Sequence, residues 1–278
     1  MNPPSATLVT GASGFIGRRL LRPGERALVR TADVFPNAVV GDLLDPVSLA
    51  AACRGIDTVF HCAGYAHTIA STTPDTHWRI NHRGTRNLLT AAGEAGVRRF
   101  VFLSSVKAMA EPGSSCVDED WPGEPSSVYG KAKRAAEDAV LEAGKRYCMH
   151  VVILRLAMVY GRDGRGNFER MARGIAAGWF PALPETGNRR SLVHVDDVVE
   201  AARLVAAKPT ANGRTYIVTG IRAYSGKEIY DTVRAVLGKS PVRYRLPEWF
   251  LRSGGRAGDF LSVISRRPFP LNSETVDR

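Results

Sequence analysis

Short apolar runs rich in β-branched residues alternate with longer mixed stretches through the first two thirds of the chain. The short runs predict strands, and they lie at 6–9, 26–29, 38–40, 58–61, 99–103 and 150–154. The stretches between them predict helices, at 47–53, 78–94 and 128–142. Strand–helix alternation of this kind predicts an α/β fold with a parallel sheet covered on both faces.

From about residue 160 the pattern changes to loops rich in glycine and arginine. Here the periodicity predicts helices at 168–178, 197–207 and 226–237, with strand-like runs at 191–195 and 216–218. We interpret residues 161–278 as mainly a smaller C-terminal lobe. It is interleaved with the sheet domain that residues 1–160 mainly form.

Three glycines, Gly11, Gly14 and Gly17, stand between the first predicted strand and the next apolar segment. Gly11 permits a tight turn, Gly14 lets backbone amides approach a pyrophosphate, and Gly17 allows close helix–strand packing. The amides of Phe15 and Ile16, at the start of the helix, can donate to phosphate oxygens. The turn therefore predicts a doubly wound parallel sheet of Rossmann type that binds a dinucleotide.

The end of the second strand, roughly 20 residues after the first glycine, selects the dinucleotide. Arg30 lies there, and an arginine can bind the 2′-phosphate through charge-assisted hydrogen bonds, so NADP(H) is favoured. Asp33 follows shortly after and keeps NAD(H) open, because a carboxylate in this region binds a ribose diol. Asp42 and Leu43 follow the third strand, where they either lie near the adenine or form an ordinary strand-end loop.

The first crossover of the predicted sheet is short. Between Val9 and Ala27 the chain turns, forms a helix and returns, and Pro23-Gly24 ends that helix after roughly two turns. This meets the minimum of about a dozen residues for a parallel connection, with little to spare. We expect so short a helix to weaken the docking of a cofactor.

Tyr129 and Lys133, four positions apart in YGKAK, share one face of the helix predicted at 128–142. A free tyrosine has a pKa of about 10, and a neighbouring lysine favours its phenolate. Together with the dinucleotide turn, the pair predicts a site in which a tyrosine moves a proton beside a nicotinamide. Outside such a context, a pair of this kind is usually solvated helix surface.

The chain carries a formal net charge of +11, mostly from arginines spread along it rather than from a basic block. The excess favours phosphate-bearing small molecules over nucleic acid, although generic surface charge explains it as well. The four cysteines are scattered, so neither a disulfide frame nor a metal site is expected. There is no apolar run of the roughly 20 residues that a membrane span needs, and no signal segment, which predicts a soluble, cytoplasmic protein.

Seven motifs follow one another along the chain: TGASGFIG, GDLLD, HCAG, NHRGTRNLL, FVFLSS, YGKAK and RRSLVHVDD. In these motifs and their order the chain resembles the extended short-chain dehydrogenases, the NAD-dependent epimerase/dehydratase family of nucleotide-sugar enzymes. The resemblance covers nearly the whole chain, and it implies a dinucleotide-binding domain mainly in 1–160 and a substrate-binding lobe mainly in 161–278. SSVKAMAEPG, YGRDGRGNF and NRRSLVHVDD look most like bacterial UDP-N-acetylhexosamine 4-epimerases and 4-keto-reductases of surface-polysaccharide synthesis.

The resemblance assigns three residues to the reaction. Tyr129 matches the catalytic tyrosine and Lys133 its lysine partner, and both are expected to contact the cofactor as well. Ser105, the second serine of FLSS, matches the hydroxyl that holds the substrate oxygen, with Ser104 as the adjacent alternative. The other interpretation of Ser105 is a plain strand-end cap.

The same resemblance places five further residues at the site. Ala63 and Gly64 of HCAG match the loop that lines the cofactor, and Asn81 matches an asparagine in the helix beneath the active site. Asn167 resembles a substrate-loop residue, and Arg190 matches an arginine that contacts the nucleotide phosphates. Each has an ordinary structural alternative: a helix cap or buried hydrogen-bonding group for Asn81, a loop residue for Asn167 and a solvated side chain for Arg190.

The implied function is that of an NAD(P)-dependent oxidoreductase or epimerase acting at C4 of a UDP-hexose or UDP-N-acetylhexosamine, and it is compatible with a homodimer. Reduction of a non-sugar ketone or aldehyde, and non-catalytic sensing of a dinucleotide, stay open as alternatives. The chain stops at LNSETVDR, where relatives usually continue through a segment with a Gly-Trp-x-Pro motif. We therefore expect part of the substrate lobe to be missing.

Overall fold

The computed structural model describes residues 6–31, 35–65, 74–113, 115–164, 167–182, 184–185 and 187–241. Its strands are β1 (Thr7–Thr10), β2 (Arg26–Val29), β3 (Ala38–Val40), β4 (Thr58–His61), β5 (Arg99–Ser105), β6 (His150–Leu156), β7 (Met158–Tyr160), β8 (Arg189–His194), β9 (Arg214–Val218) and β10 (Ala223–Ser225). Its α-helices are α1 (Gly17–Leu20), α2 (Pro46–Cys53), α3 (Pro74–His77), α4 (Gly84–Glu94), α5 (Val128–Arg146), α6 (Asn167–Ala177), α7 (Val195–Ala207) and α8 (Gly226–Val236). A π-helical segment, Trp78–Arg83, joins α3 to α4, and 3-10 turns lie at Val106–Ala108 and Pro209–Ala211.

Seven of the strands form one sheet in the order β3-β2-β1-β4-β5-β6-β9, and every neighbouring pair is parallel. The chain runs outward from β1 to β3 and then restarts with β4 on the other side of β1. At such a switch point the loops diverge and leave a crevice beyond the carboxyl ends of the strands, where ligands of open α/β sheets bind. The predicted doubly wound Rossmann-type sheet is confirmed.

Both faces of this sheet are covered by helices. Successive side chains of one strand point to opposite faces and pack in two separate hydrophobic clusters. Phe100 and Phe102 of β5 lie in the cluster formed with α2, α4 and α5. Val101 and Leu103 lie in the cluster formed with α1 and α7. None of these four side chains is more than 6% exposed. The sheet therefore has the two apolar faces that its continuous apolar runs predict.

The single helix predicted at 78–94 is instead two segments, the π-helical segment and α4, and α3 directly precedes them. Within that range, Thr85 Oγ1 donates to the Asn81 carbonyl at 2.7 Å. A side-chain donor that bonds a helix carbonyl competes with the backbone ladder and distorts it locally. The π-helical segment places Asn81 with its side chain buried, at 2% exposure.

The helix of the first crossover is shorter than predicted. α1 is about one turn rather than two, because Leu21 already has an extended conformation with φ −67° and ψ 123°. Strand β5 is longer than predicted, since Ser104 and Ser105 still pair with Arg155 and Leu156 of β6. Both candidate site serines therefore lie within a strand.

The described residues fall into two compact units. The first comprises those up to position 65, those at 74–161 and those at 193–219. The second comprises the described residues of 162–192 and 220–241. In the second unit β8 pairs antiparallel with β10, and Ile175 of α6 packs with Tyr230 of α8. The chain thus returns to the first unit after position 192, while the division of functions between the two parts stays a prediction.

Candidate active site

The turn after β1 is closed tightly by its glycines. Gly11 has φ +69°, and a Cβ on it would lie 2.7 Å from the Ala63 backbone nitrogen, so only glycine fits there. A Cβ on Gly17 would overlap the Gly11 carbonyl, and the Gly14 amide donates to that same carbonyl at 2.8 Å. This turn offers bare backbone at its surface, and a pyrophosphate needs bare backbone for close approach. The residues present therefore fit the dinucleotide that the sequence implies.

Phe15 and Ile16, whose amides are predicted to bind phosphate, lie where the chain enters α1. Ile16 already has helical backbone angles, with φ −81° and ψ −47°. The Phe15 carbonyl accepts from Arg19 Nη1 at 3.1 Å, and the guanidinium of that arginine lies 4.8 Å from the centroid of the Phe15 ring. These contacts fix the backbone of both residues at the start of the helix.

The loop after β4 is held by Asn81 from the π-helical segment. Asn81 Oδ1 accepts the Tyr65 amide at 2.7 Å, and Asn81 Nδ2 donates to the Tyr65 carbonyl at 2.9 Å. A Cβ on Gly64 would lie 3.1 Å from Asn81 Oδ1, so a side chain there would press on this pair of bonds. Ala63 and Gly64 therefore have a fixed backbone, and Asn81 is a buried hydrogen-bonding group beneath them.

A one-way hydrogen-bond chain runs beneath the same loop. Thr85 Oγ1 gives its proton to the Asn81 carbonyl, so it accepts from His61 Nε2, at 2.9 Å. His61 Nδ1 then accepts from Thr10 Oγ1 at 2.7 Å, and Thr10 Oγ1 in turn accepts the Ala63 amide at 3.2 Å. The chain makes His61 the neutral imidazole with its proton on Nε2.

This buried histidine predicts a pH dependence. Burial, with a smaller contribution from the Lys133 charge, lowers the pKa of His61 to about 3. The imidazole of the unfolded chain binds a proton near pH 6.5, so between about pH 6.5 and 3 the unfolded state binds more protons and stability falls as the pH falls. The wild type should lose about 2 kcal/mol more than a His61→Gln variant between pH 7 and pH 5. Urea unfolding at both pH values measures this difference, and equal losses in the two proteins would contradict it.

Two hydroxyls lie together at the carboxyl end of β5. The Ser105 side chain hydrogen-bonds the Tyr129 hydroxyl, and Ser105 Oγ also accepts the Lys107 amide at 3.2 Å as the cap of a 3-10 turn. Burial raises the pKa of Tyr129, and the bond from Ser105 offsets part of that rise. We expected Lys133 to favour the phenolate of Tyr129. In the structure the pKa of Tyr129 is instead raised, which favours the protonated hydroxyl.

Lys133 lies one helical turn beyond Tyr129 on α5 and is 5% exposed. Its Nζ donates to the Leu103 carbonyl at 2.8 Å and lies 4.2 Å from the centroid of the Phe102 ring. Burial lowers the pKa of Lys133 to about 8, while the Glu137 carboxylate acts in the opposite direction. Because the ammonium is bound by the β5 backbone, the contribution that lowers the Tyr129 pKa comes from Ser105 instead.

Sequence reasoning missed a buried ion pair behind these residues. Glu137, one turn beyond Lys133, is 2% exposed and accepts from Arg155 Nη2 at 2.8 Å. Arg155 of β6 also donates through Nη1 to the Glu119 carbonyl at 2.9 Å. The signal was present in the sequence, because Arg155 interrupts the apolar run VVILRLA and a charge in a buried strand needs a partner.

The same carboxylate distinguishes the two candidate serines. Ser104 Oγ donates to Glu137 Oε1 at 2.5 Å and is 5% exposed. The structure therefore places Ser105, and not Ser104, beside the Tyr129 hydroxyl.

His77, at the end of α3, is a second residue that sequence reasoning missed. Its ring lies edge-on to Tyr129 with 5.7 Å between the centroids, and 5.3 Å from the Tyr65 ring. This row of rings joins the loop after β4 to the start of α5. The glycine turn, the Ala63–Gly64 loop and Tyr129 therefore share the carboxyl edge of the sheet. The spacing of four between His77 and Asn81, which lie on one helix face, was the available signal.

The residues predicted to select the dinucleotide lie at the ends of β2 and β3. Arg30 directly follows β2 and is exposed, whereas Asp33 lies outside the described residues. Asp42 Oδ1 accepts the Leu44 amide at 2.8 Å and so closes the turn after β3. The Leu43 side chain is buried in the core with α4. Asp42 and Leu43 thus build the strand-end loop, and their contact with an adenine stays a prediction.

Two predicted substrate residues lie in the second unit. Asn167 begins α6. Arg190 is half-buried in β8, where it pairs in register with Tyr224 of β10. Their roles stay predictions.

Two kinds of feature are absent from the described part of the chain. Its His, Cys, Asp and Glu side chains form no group of three or more that could hold a metal ion. None of the helices within the described ranges is long and apolar enough to cross a membrane.

Comparison with known proteins identifies a family and several relatives of this chain. The model of the NAD dependent epimerase/dehydratase family matches residues 7–219. A UDP-glucose 4-epimerase of Vibrio cholerae is 28% identical over 284 residues, which cover 95% of this chain and 85% of the epimerase. A ceramide reductase of Caulobacter vibrioides is 32% identical over 279 residues, covering 94% of this chain and 79% of the reductase. The solved structure of MoeE5 in complex with UDP-glucose and NAD is 29% identical, with a TM-score of 0.75 over 85% of this chain and 83% of that chain.

Proposed function

Because the chain belongs to the NAD dependent epimerase/dehydratase family, we propose that it exchanges alcohol and ketone at C4 of a UDP-linked hexose or N-acetylhexosamine. The chain is an NAD-dependent enzyme of this family. The observation that carries the proposal is the hydrogen bond between Ser105 and Tyr129, with Lys133 one turn further along α5. A protein that only sensed a dinucleotide would have little need of these three groups together.

Tyr129 is the group that moves the proton in this proposal. Its raised pKa keeps the hydroxyl protonated at neutral pH, so it can give its proton to a ketone oxygen as the alcohol forms. Ser105, which bonds the same hydroxyl, would hold that oxygen in place. In the oxidative direction the phenolate has to accept the proton. A bound nicotinamide supplies the hydride acceptor or donor.

Residues of the first unit would hold the dinucleotide. The bare turn supports the pyrophosphate, the ends of β2 and β3 support the adenosine, and the loop after β4 with α5 supports the nicotinamide. In that order the residues are Gly11, Gly14, Phe15, Ile16 and Gly17, then Arg30, Asp42 and Leu43, then Ala63, Gly64, Tyr129 and Lys133. Asn167 and Arg190 of the second unit are proposed to contact the substrate.

We expect NADP(H) to bind more tightly than NAD(H). Arg30→Ala should lower NADP(H) affinity about tenfold and leave NAD(H) affinity nearly unchanged, because only NADP(H) carries the 2′-phosphate. Isothermal titration with both cofactors measures it. Arg54→Ala is the matched control. Arg54 is also exposed, but it follows α2, and its carbonyl accepts from Arg26 Nη1 at the start of β2, at 2.8 Å. Equal affinity of the wild type for both cofactors, unaffected by Arg30→Ala, would contradict this preference.

The reaction is tested with UDP-4-keto-sugars and UDP-N-acetylhexosamines, following NADPH absorbance and products together. Stoichiometric loss of NADPH indicates a 4-keto-reductase, whereas inversion at C4 without net loss indicates a 4-epimerase. An enzyme that binds a dinucleotide but turns over no UDP-sugar would overturn the assignment of the substrate.

Reduction of a non-sugar ketone is the second candidate. One observation favours it: the Caulobacter vibrioides relative, 32% identical over most of this chain, is a ceramide reductase. The groups at the reacting end would be the same, because Ser105 and Tyr129 act on an oxygen and not on the rest of the substrate. Adding long-chain ketones to the substrate panel distinguishes the two candidates.

A further inference from the structure

The helix after the glycine turn is too short to be stable by itself. α1 has four residues, about 6 Å of helix, and isolated helices shorter than about a dozen residues are marginal in water. The amides of Arg19 and Leu20 share one acceptor, the Ile16 carbonyl, each at 3.0 Å. Contacts from outside the helix therefore have to fix its position.

Arg203 of α7 makes such contacts. Its Nη1 and Nη2 donate to the two carboxylate oxygens of Glu25, each at 2.6 Å, and Nη2 also donates to the Leu20 carbonyl at the end of α1. The guanidinium lies 4.5 Å from the centroid of the Phe60 ring. The side chains of Arg203 and Glu25 are only 17% and 14% exposed, so this two-pronged ion pair is weakly screened by solvent.

The ion pair of Arg203 and Glu25 also involves the segment that leads from α1 back to β2. Glu25 Oε2 also accepts the Arg22 amide at 2.9 Å, so one carboxylate holds the turn between α1 and β2. In the residue before Leu20, Arg19 Nε lies 3.8 Å from Asp196 Oδ1 at the start of α7. Leu20 is fully buried in the core cluster that α7 contributes to. α7 therefore contacts the C-terminal end of α1 through Arg19 and the Leu20 carbonyl, and packs on its apolar side.

We propose that Arg203 and Glu25 form a positioning pair for the dinucleotide turn. The pair holds the end of α1, and α1 holds the backbone from Gly14 onward, where the pyrophosphate is proposed to bind. This inference rests on the proposed dinucleotide-binding function of the turn. It also accounts for the short crossover: the stability that a longer helix would supply comes from a side chain nearly 180 residues downstream, since 178 positions separate the two residues of the pair.

The test compares two variants of the pair with a matched control. Arg203→Met keeps most of the buried length of the side chain. It should weaken NAD(H) binding about tenfold by isothermal titration, the loss that corresponds to one charge-assisted hydrogen bond. It should also speed hydrogen exchange at the amides of 18–21 and leave exchange in α5 unchanged. Glu25→Gln, which removes only the charge, should shift both measurements less, in the same direction.

Arg26→Met is the control. Arg26 Nη1 also donates to two carbonyls, those of Ala52 and Arg54, each at 2.8 Å, but neither carbonyl belongs to α1 or to the glycine turn. This variant should leave cofactor affinity and exchange at 18–21 unchanged.

The outcomes separate the two proposals. A wild type that binds neither NAD(H) nor NADP(H) overturns the proposed function of the turn. A wild type that binds, with Arg203→Met and Glu25→Gln binding as tightly and exchanging as slowly, overturns the positioning pair. If Arg203→Met does not fold, Glu25→Gln decides: wild-type affinity and exchange overturn the pair, and a shift in both supports it.

Discussion

Tyr129→Phe should lower turnover by about 10²- to 10⁴-fold and leave dinucleotide affinity nearly unchanged. The substitution removes one oxygen atom, the one that bonds Ser105 and is proposed to carry the proton. The ring that remains keeps its edge-on contact with His77, at 5.7 Å between centroids, so the start of α5 should keep its position. Steady-state rates on the accepted substrate, with cofactor affinity from isothermal titration, measure the two quantities separately.

Tyr147→Phe is the matched control for this experiment. Tyr147 directly follows α5 and packs on Gly93, far along the same helix from Tyr129. Its variant also loses one phenolic oxygen and should retain nearly full turnover. If purified Tyr129→Phe turns over substrate as fast as Tyr147→Phe does, the assignment of Tyr129 as the proton donor is wrong.

The strands of the sheet could be predicted because their signal is local. The predicted runs 26–29, 38–40 and 58–61 coincide with β2, β3 and β4. A parallel strand buried on both faces reads as an unbroken apolar run that polar or turn-forming residues end, so neighbouring residues suffice to bound it. The glycine motif was local too: Gly17 is required by the Gly11 and Ala12 backbone within the motif itself, although Gly11 is also required by the Ala63 backbone that follows β4.

The part of the site that α5, β5 and α3 form depends on contacts between residues that are distant in the sequence. The sequence alone did not reveal these contacts. Ser104 and Glu137 are 33 positions apart, and Glu137 and Arg155 are 18 apart. His77 meets Tyr129 from a distant part of the sequence, and it lies directly before a π-helical segment. A helical period fitted to 78–94 hides that segment, because one extra residue in a turn shifts every later position.

The buried pair of Glu137 and Arg155 leads to the second large effect. α5 carries Tyr129 and Lys133 near its start, and Glu137 binds this helix to β5 through Ser104 and to β6 through Arg155. Glu137 and Arg155 are 2% and 5% exposed. Water therefore cannot replace either partner when the other is removed, and the cost of a lone charge is large.

Glu137→Gln should destabilise the protein by about 3–5 kcal/mol, because the side chain keeps its shape and leaves the Arg155 charge uncompensated. Urea unfolding measures the change. Glu111→Gln is the control, since Glu111 pairs with Lys107 at 2.6 Å but is 53% exposed. An exposed pair of this kind contributes less than about 1 kcal/mol. A Glu137→Gln variant no less stable than Glu111→Gln would contradict the buried pair.

A double variant separates the missing partner from damage to the fold. Glu137→Leu with Arg155→Met removes both charges and keeps apolar volume in their place. It should cost less than the sum of the two single substitutions, because no unpaired charge remains. Some loss should persist, since the Ser104 hydroxyl and the Glu119 carbonyl each lose a partner. Additive losses would mean that the two side chains act independently, and they would contradict the buried pair.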